Sequence, residues 1–279
     1  MKVSIIGMGL IGGSLALALR EKGFATRITG VEANAEHAAT ALSLGLADAI
    51  LPLEEAVDSA DMIIIAVPVS VAGNMLTQVL SRVKQQVVTD VGSTKQYICG
   101  VAAAHANKHR FVASHPMWGT EYSGPSAAVK NAFENKAVVI CNKEQADADA
   151  LQAVEQMYRL LGMHLIYMDA AAHDLHAAYV SHISHITSFA LANTVLEKEK
   201  EDDAIFELAS GGFESTVRLA KSNPSMWVPI FQQNRENVLD VLNEHISQLR
   251  KFKSCLEKEN YGYLEELIAG ANKIRRIIK

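Results

Sequence analysis

Two short segments of the chain contain residue types that could act together on a bound substrate. The segment Gly7–Gly12 reads GMGLIG and follows the apolar run Val3–Ile6, which predicts a glycine-rich turn between a strand and a helix. The segment Ser114–Glu121 places His115 at the end of another predicted strand. Such a turn binds the pyrophosphate of a dinucleotide, and an imidazole can take a proton from an alcohol while hydride leaves the same carbon. Taken alone, His115 could also be an ordinary polar loop residue.

The three glycines of the first segment suit separate tasks in a dinucleotide site. Gly7 permits a tight turn, Gly9 lets the backbone approach a pyrophosphate, and Gly12 allows helix and strand to pack closely. A helix predicted over 14–21 follows and directs its N-terminus at the anion. A glycine-rich turn without a ligand is the alternative, and the acid described next argues against it.

A second predicted strand, Arg27–Val31, ends at Glu32, where a dinucleotide fingerprint places an acid for the ribose hydroxyls. A carboxylate there repels a 2′-phosphate, which predicts NAD rather than NADP. Arg27 and Asn34 lie close to Glu32 in the sequence and leave some tolerance of NADP open. The predicted cofactor contacts are Gly7, Gly9, Leu10, Ile11, Gly12, Glu32, Val67 and Pro68.

Composition excludes several classes of partner. The chain has 279 residues, 49% of them apolar, which is enough for two domains with separate cores. A net charge of −5 without a basic run argues against nucleic acid or an anionic membrane as a partner. The apolar run Met62–Val69 is too short to span a bilayer. The chain opens on a predicted strand rather than a signal peptide, and its three cysteines show no metal or disulfide spacing, so we expect a cytoplasmic protein.

Up to residue 168 the pattern alternates between strands and helices. The predicted strands cover 3–7, 28–32, 48–51, 62–67, 87–91, 111–114, 137–141 and 164–168. This alternation predicts an α/β, Rossmann-type dinucleotide-binding domain over 1–168, with a mostly parallel sheet. Ligands bind at the carboxyl ends of such strands, so we expect Val67–Pro68, Asp90–Ser93 and Ser114–Pro116 at one edge.

From residue 169 the pattern is helical, which predicts an all-helical domain over 169–279. The predicted helices cover 170–199, 202–209, 213–221, 225–257 and 260–277. Apolar residues recur around much of the surface of the longest helices, more than one small bundle can cover. We therefore expect a homodimer formed through this half of the chain.

Four histidines of the helical half form two pairs with i, i+3 spacing. They are His173 with His176 and His182 with His185. This spacing suits a metal ion, but no third ligand at fixed spacing accompanies the pairs, and hydride transfer to NAD requires no metal. Histidines that face a cleft between the domains explain the pattern as well, and we predict no metal site.

Arg218 lies one turn into a helix that follows the paired glycines Gly211 and Gly212. Adjacent glycines permit close approach of a ligand, and a guanidinium can bind a carboxylate through two parallel hydrogen bonds. The alternative is the start of a helix with a solvated arginine.

Five motifs occur in a fixed order along the chain. They are GMGLIG (Gly7–Gly12), DVGSTK (Asp90–Lys95), SHPMWGTEYSG (Ser114–Gly124), SHISH (Ser181–His185) and GGFESTVRLAKSNPSMW (Gly211–Trp227). As an ordered set they resemble the prephenate dehydrogenase family of tyrosine biosynthesis, and the resemblance covers essentially the whole chain. It implies a Rossmann-type domain followed by a helical dimerisation domain, and NAD-dependent oxidative decarboxylation of prephenate to 4-hydroxyphenylpyruvate.

The resemblance also implies roles for individual residues. His115 matches the hydrogen-bond partner of the substrate hydroxyl, Ser93 a neighbour that helps to orient it, and Arg218 the residue that binds the ring carboxylate. His185 matches a histidine near the substrate side chain, where an imidazole can donate to a keto oxygen but gains little from an ammonium group; this predicts prephenate over its amino analogue arogenate. The other implied pocket residues are Thr120, Glu121, Ser181 and Trp227.

Three residues depart from the family pattern. Trp118 replaces a frequent alanine, Ser215 an aspartate of many members, and Val217 a threonine. An aspartate at position 215 would hold Arg218, and in its absence Glu121 is the residue that can serve instead.

Three other functions fit parts of the sequence. Arogenate dehydrogenase performs the same chemistry on the amino analogue. A β-hydroxyacid dehydrogenase has a similar pair of domains but carries a catalytic lysine in the helical half, and we find no equivalent placement. A non-catalytic NAD-sensing dimer would need the glycines but not His115.

Overall fold

A single sheet forms the first half of the chain. The computed structural model describes residues 1–199 and 207–276. The strands within these ranges are Lys2–Ile6 (β1), Arg27–Val31 (β2), Ala49–Ile50 (β3), Met62–Ile65 (β4), Val87–Asp90 (β5), Phe111–Pro116 (β6), Ala137–Cys141 (β7) and His164–Met168 (β8). Each strand predicted from the sequence is present, with ends that differ by at most two residues.

The strand order is β3-β2-β1-β4-β5-β6-β7-β8. Neighbouring strands are parallel, apart from the antiparallel pair β6 and β7. The chain leaves β3 at one edge and returns to place β4 beside β1, so the order reverses between β1 and β4. Such a reversal opens a crevice at the carboxyl ends of the strands, where ligands of open α/β sheets bind. The mostly parallel sheet predicted from the sequence is confirmed.

Both faces of the sheet are buried. In β4, Met62 and Ile64 belong to one apolar cluster, and Ile63 and Ile65 belong to a second. Successive side chains of a strand point to opposite faces, so the two clusters lie on opposite sides of the sheet. A continuous run of apolar residues, rather than alternation with polar ones, is therefore what this central strand requires.

The α-helices of the described chain connect the strands and follow the last of them. They are Leu10–Glu21 (α1), Ala35–Ser43 (α2), Leu53–Asp58 (α3), Val69–Arg82 (α4), Gln96–Ala103 (α5), Ala148–Leu160 (α6), Ala170–Ala177 (α7), Ile183–Glu199 (α8), Gly211–Val217 (α9), Pro224–Gln233 (α10), Arg235–Glu257 (α11) and Tyr261–Ala271 (α12). Among the described residues, no helix is long and apolar enough to cross a membrane.

The helix predicted over 170–199 contains a π-helical turn. This turn, Ala178–His182, lies between α7 and α8. A π turn holds more residues than an α turn, so it shifts the faces of α8 relative to those of α7. Apolar periodicity does not reveal such a shift, because it assumes one spacing along the whole segment.

The helix predicted over 225–257 is wrong as a single element, because it divides into α10 and α11 at Asn234. Asn234 leaves helical geometry, with φ −108° and ψ 27°. Its buried side-chain amide donates to the carbonyl of Asp174 at 2.6 Å. A polar group buried at this depth must find a partner, and the bond to α7 holds the break in place.

The remaining helical predictions agree in part with the structure. The helix predicted over 213–221 is α9 followed by a 3₁₀ turn, Arg218–Lys221, and that over 260–277 is α12 followed by a 3₁₀ turn, Asn272–Arg276. The helix predicted over 202–209 lies largely outside the described residues. Residues 1–234 form one compact unit and 235–279 a second, so α7 to α10 pack in the same unit as the sheet. A domain boundary at residue 168 stays a prediction.

Lys95 joins the carboxyl ends of β5 and β6. Its fully buried ammonium forms an ion pair with Asp90 at the end of β5 and donates to the carbonyl of Ser114 in β6 at 2.7 Å. The Asp90 carboxylate also accepts the Ser114 backbone N–H at 3.2 Å. Because Ser114 directly precedes His115, this ion pair sets the position of that histidine.

We expect Lys95→Met to lower the free energy of unfolding by about 3 to 5 kcal/mol, because it leaves the Asp90 carboxylate buried without its cation. The double variant Asp90→Asn/Lys95→Met should recover a large part of that loss. The control is Arg82→Met, which breaks a solvent-exposed pair with Asp58 and should leave the unfolding midpoint nearly unchanged. Chemical denaturation measures all three, and equal losses from the two single variants would contradict the account.

Candidate active site

The glycine-rich turn between β1 and α1 has the geometry of a dinucleotide site. Gly7 has φ +95°, and a Cβ there would lie 2.5 Å from the carbonyl oxygen of Ala66. A Cβ on Gly12 would lie 2.0 Å from the carbonyl oxygen of Gly7. A Cβ on Gly9 would meet no described atom within 4 Å. The backbone itself therefore requires glycine at 7 and 12, whereas at position 9 the space is open for a ligand.

The N-terminus of α1 is free to receive an anion. Gly9 is its N-cap, so no side chain caps the first amides, and the first turn has no acidic residue. Unpaired amide groups at a helix N-terminus attract a phosphate through direct hydrogen bonds and the helix dipole. Helix α1 begins at Leu10, earlier than the residue 14 predicted, so Leu10 and Ile11 lie in its first turn.

Glu32 is fixed beside this turn. One carboxylate oxygen accepts the backbone N–H of Met8 at 2.9 Å, and the other accepts that of Asn34 at 3.0 Å. These bonds hold the carboxylate at the carboxyl end of β2 while leaving further lone pairs on both oxygens. The residues present fit a dinucleotide whose ribose hydroxyls would donate to Glu32.

His115 lies at the same edge of the sheet. The antiparallel pairing with β7 extends β6 through Pro116, so His115 is part of the strand rather than the residue after it. Its Nδ1 is 2.9 Å from Nε2 of His173 in α7. Burial, followed by the charges that His173 and Lys95 can carry, holds the pKa of His115 well below its usual range. The imidazole is neutral at neutral pH and able to accept a proton.

A second cluster surrounds Trp227 of α10. The ring of His185 stacks on that of Trp227, with centroids 3.5 Å apart. His185 Nδ1 donates to the carbonyl of Ser181 at 3.1 Å, and burial lowers the pKa of this imidazole. His185 is therefore neutral with its proton on Nδ1, and its Nε2 is an acceptor. In this form it has no ring proton for a keto oxygen, and the role of His185 beside a substrate stays a prediction.

Arg218 pairs with Glu121. The guanidinium is half-exposed and donates to the Glu121 carboxylate at 3.0 Å. The Glu121 backbone amide and Arg218 together hold the pKa of that carboxyl below its usual range. Ser215 bonds to the carbonyl of Gly212 in its own helix, so Glu121 is the acid that holds the arginine. One N–H of Arg218 is engaged in this pair, and a carboxylate could bind the others.

The remaining predicted residues lie around these groups. Ser93 is half-buried in the loop between β5 and α5, and the hydrogen-bond partner seen at Nδ1 of His115 is His173. Thr120 accepts the backbone N–H of Tyr122 at 3.3 Å. Pro68 is the N-cap of α4, and Val67 precedes it at the carboxyl end of β4. The departure at Trp118 has a packing role, since its ring meets that of Phe133 edge to face at 5.5 Å.

Sequence reasoning missed the groups that support His115. His173 was considered as part of a metal spacing or as a histidine facing a cleft, and Asp174, Lys95 and Asn234 were given no role. Two signals were present: a histidine and an aspartate adjacent in a helix, and a lysine that ends the DVGSTK motif after an apolar strand. Without the fold, these signals are not specific. No group of three or more His, Cys, Asp or Glu within the described ranges is arranged to hold a metal ion.

Comparison with known proteins identifies the family. A model of the prephenate dehydrogenase nucleotide-binding domain matches residues 15–167, and a model of the prephenate dehydrogenase dimerization domain matches residues 169–270. The chain belongs to the prephenate dehydrogenase family. The resemblance proposed from the five motifs is thereby confirmed, as is its assignment to the oxidoreductases.

Individual family members are similar along most of their length. A prephenate dehydrogenase of Bacillus subtilis is 32% identical over 92% of this chain and 71% of its own length. The crystal structure of prephenate dehydrogenase from A. aeolicus, in complex with hydroxyphenyl propionate and NAD⁺, matches with a TM-score of 0.91 and 30% identity, over 100% of this chain and 99% of that chain. Synechocystis arogenate dehydrogenase matches with a TM-score of 0.77 and 26% identity over 100% of both chains.

The second and third glycines of the turn, Gly9 and Gly12, provide a matched pair of variants. Gly12→Ala forces α1 away from the turn, so we expect a lower unfolding temperature together with weaker NAD⁺ binding. Gly9→Ala adds a methyl group in open space, so we expect an unchanged unfolding temperature but a Kd for NAD⁺ raised about tenfold or more. Thermal denaturation and cofactor titration measure the two effects. Wild-type affinity in Gly9→Ala would show that the pyrophosphate does not approach this residue.

Proposed function

We propose that this chain catalyses the NAD-dependent oxidative decarboxylation of prephenate to 4-hydroxyphenylpyruvate. The observation that carries the proposal is a neutral His115, fixed at the same carboxyl-terminal sheet edge as the glycine-rich turn and Glu32. Family membership supports this choice, since the matched models describe prephenate dehydrogenase domains.

The reaction needs few groups from the protein. Prephenate carries a hydroxyl at C4 and a carboxylate on the opposite ring carbon, and loss of hydride from C4 allows decarboxylation to form a phenol. NAD⁺ bound at the glycine-rich turn supplies the hydride acceptor. His115 accepts the hydroxyl proton at Nε2, which polarises the C4–O bond as the hydride leaves. Aromatisation drives the reaction forward.

Arg218 binds the ring carboxylate in this proposal, and Glu121 holds the guanidinium in place. A shared arginine binds the carboxylate less tightly than a free one, because one of its donors is already engaged. That balance suits a group that must leave as carbon dioxide, since tight ground-state binding would oppose decarboxylation. Ser93, Thr120, Ser181 and Trp227 complete the proposed pocket.

Arogenate is a second candidate substrate, and one observation favours it. His185 presents an unprotonated Nε2, which can accept from an ammonium group but cannot donate to a keto oxygen. If His185 lies near the substrate side chain, it favours the amino analogue rather than disfavours it. We keep prephenate as the main proposal because the family models and the Bacillus subtilis relative carry that name.

NAD rather than NADP is the proposed cofactor because Glu32 occupies the position that a 2′-phosphate would approach. Its carboxylate is held by two backbone amides, so it is not free to move aside without losing both bonds.

A homodimer formed through residues 169–279 completes the proposal. The matched model for residues 169–270 describes a dimerization domain. Helices α11 and α12 also leave large apolar side chains exposed in the single chain, among them Leu249, Leu256, Tyr261 and Ile268. Exposed apolar surface of this extent is typical of a protein–protein interface. Residues 1–168 form the proposed NAD-binding domain.

His115→Asn tests the proposed function. We expect purified wild-type protein to form NADH and 4-hydroxyphenylpyruvate from NAD⁺ and prephenate, and we expect the variant to lose about a hundredfold or more in kcat, with nearly unchanged NAD⁺ affinity. The matched control is His164→Asn, an exposed histidine on β8, which should behave as wild type.

Each alternative gives a different result in the same assay. Turnover of arogenate without turnover of prephenate would show that arogenate is the substrate. NAD⁺ binding without turnover of either would indicate a non-catalytic sensor. Wild-type turnover in His115→Asn would show that this histidine is not the base.

A further inference from the structure

His173 connects His115 to a buried carboxylate. Its Nε2 is 2.9 Å from Nδ1 of His115, and its Nδ1 is 2.7 Å from Oδ1 of Asp174. The rings of the two histidines meet edge to face, with centroids 5.1 Å apart and planes at 68°. His173 and Asp174 are 2% and 1% exposed, so water does not compete for these bonds.

The direction of each hydrogen bond follows from Asp174. Its carboxylate accepts the backbone N–H groups of Lys95 at 2.7 Å and Gln96 at 2.9 Å, at the N-terminus of α5. A carboxylate in this setting is an acceptor, so His173 donates to it from Nδ1. A single ring proton, placed on Nδ1, leaves His173 a lone pair on Nε2, which accepts the Nδ1 N–H of His115. His115 is left with a lone pair on Nε2.

His173, which accepts this hydrogen bond, is itself held in place. Asp174 is bonded through its side chain to α5 and through its carbonyl to Asn234, at 2.6 Å. His173 therefore cannot rotate without giving up the bond to Asp174. The acceptor offered to His115 therefore has one orientation.

From this geometry we propose that His173 is a positioning residue, which fixes His115 in the tautomer that presents an unprotonated Nε2 to the substrate hydroxyl. Without an acceptor at Nδ1, His115 is free to carry its proton on Nε2, where it would face the hydroxyl with a donor instead of a base. The inference rests on the proposed function of His115 as the proton acceptor.

Two substitutions at position 173 separate the two bonds of the histidine. Asn places its amide near the former Nδ1, so His173→Asn can keep the bond to Asp174 but does not reach His115. Gln reaches the former Nε2, so His173→Gln can present its carbonyl oxygen to His115. The matched control is His176→Asn, an exposed histidine on the same helix.

In steady-state assays with prephenate and NAD⁺, we expect His173→Asn to lower kcat about tenfold or more while both KM values stay within about twofold of wild type. We expect His173→Gln to recover most of kcat and His176→Asn to match wild type. Equal kcat in His173→Asn and wild type would overturn the proposal. Equal losses of kcat in the Asn and Gln variants, with lowered unfolding temperatures in both, would show that His173 has only a packing role. This result would also overturn the proposal.

The tautomer can be measured without turnover. In ¹⁵N NMR of the ring nitrogens, assigned with His115→Asn, we expect wild-type His115 to be protonated at Nδ1 and unprotonated at Nε2, and this preference to disappear in His173→Asn. A protein inactive on prephenate that shows this tautomer would contradict the proposed function but not the role of His173. Protonation at Nε2 in the wild type would contradict the role of His173 whatever the substrate.

Discussion

The geometry of the site depends on the hydrogen bonds of one carboxylate, that of Asp174. It accepts the first backbone N–H groups of α5, and so fixes the helix that begins beside Lys95. Lys95 in turn binds Asp90 and the Ser114 carbonyl, which positions the backbone of His115. The same carboxylate orients His173, which holds the ring of His115. Backbone and side chain of the proposed base thus both depend on a residue that would not touch substrate.

The candidate site combines two neutral histidines with one charged arginine. His115 and His185 are both neutral because burial lowers the pKa of each, and each donates a hydrogen bond from Nδ1 to another group of the protein. Both imidazoles therefore present Nε2 as an acceptor, and in the proposed function that of His115 faces the substrate hydroxyl. The positive charge of the proposed pocket is left to Arg218, and Glu121 offsets part of it. In the proposed function, recognition of the anionic substrate depends on this half-exposed guanidinium.

The sequence predicted the sheet and the nucleotide site because both depend on local patterns. Short apolar runs bounded by turns identify buried strands, and the spacing of Gly7, Gly9 and Gly12 follows from backbone clearances that the structure reproduces. Residues of the helical half were harder to place. Helical periodicity does not reveal the π turn at Ala178–His182 or the break at Asn234. The break depends on the bond of Asn234 to another helix, which a local pattern cannot show.

The proposed tautomers of His115 and His185 also could not be predicted from the sequence. Motif resemblance placed His115 and His185 near a substrate, but the direction of a hydrogen bond from a neutral imidazole depends on the partner of its other nitrogen. Those partners, His173 and the Ser181 carbonyl, become evident only from the packing of α7 against α5 and from the helix geometry around His185. The structure therefore adds the Nδ1 bond of His185 to what the motif indicates, and the role of His185 toward the substrate stays a prediction.

A crystal structure of the complex with NAD⁺ and 4-hydroxyphenylpyruvate tests the central claim most directly. The account predicts that the phenol oxygen lies within hydrogen-bond reach of His115 Nε2, about 2.6 to 3.2 Å, while Nδ1 stays bonded to His173 and the nicotinamide faces the ring carbon that bears the oxygen. A phenol oxygen bound elsewhere, or a His115 ring turned away from His173 in the complex, would contradict it.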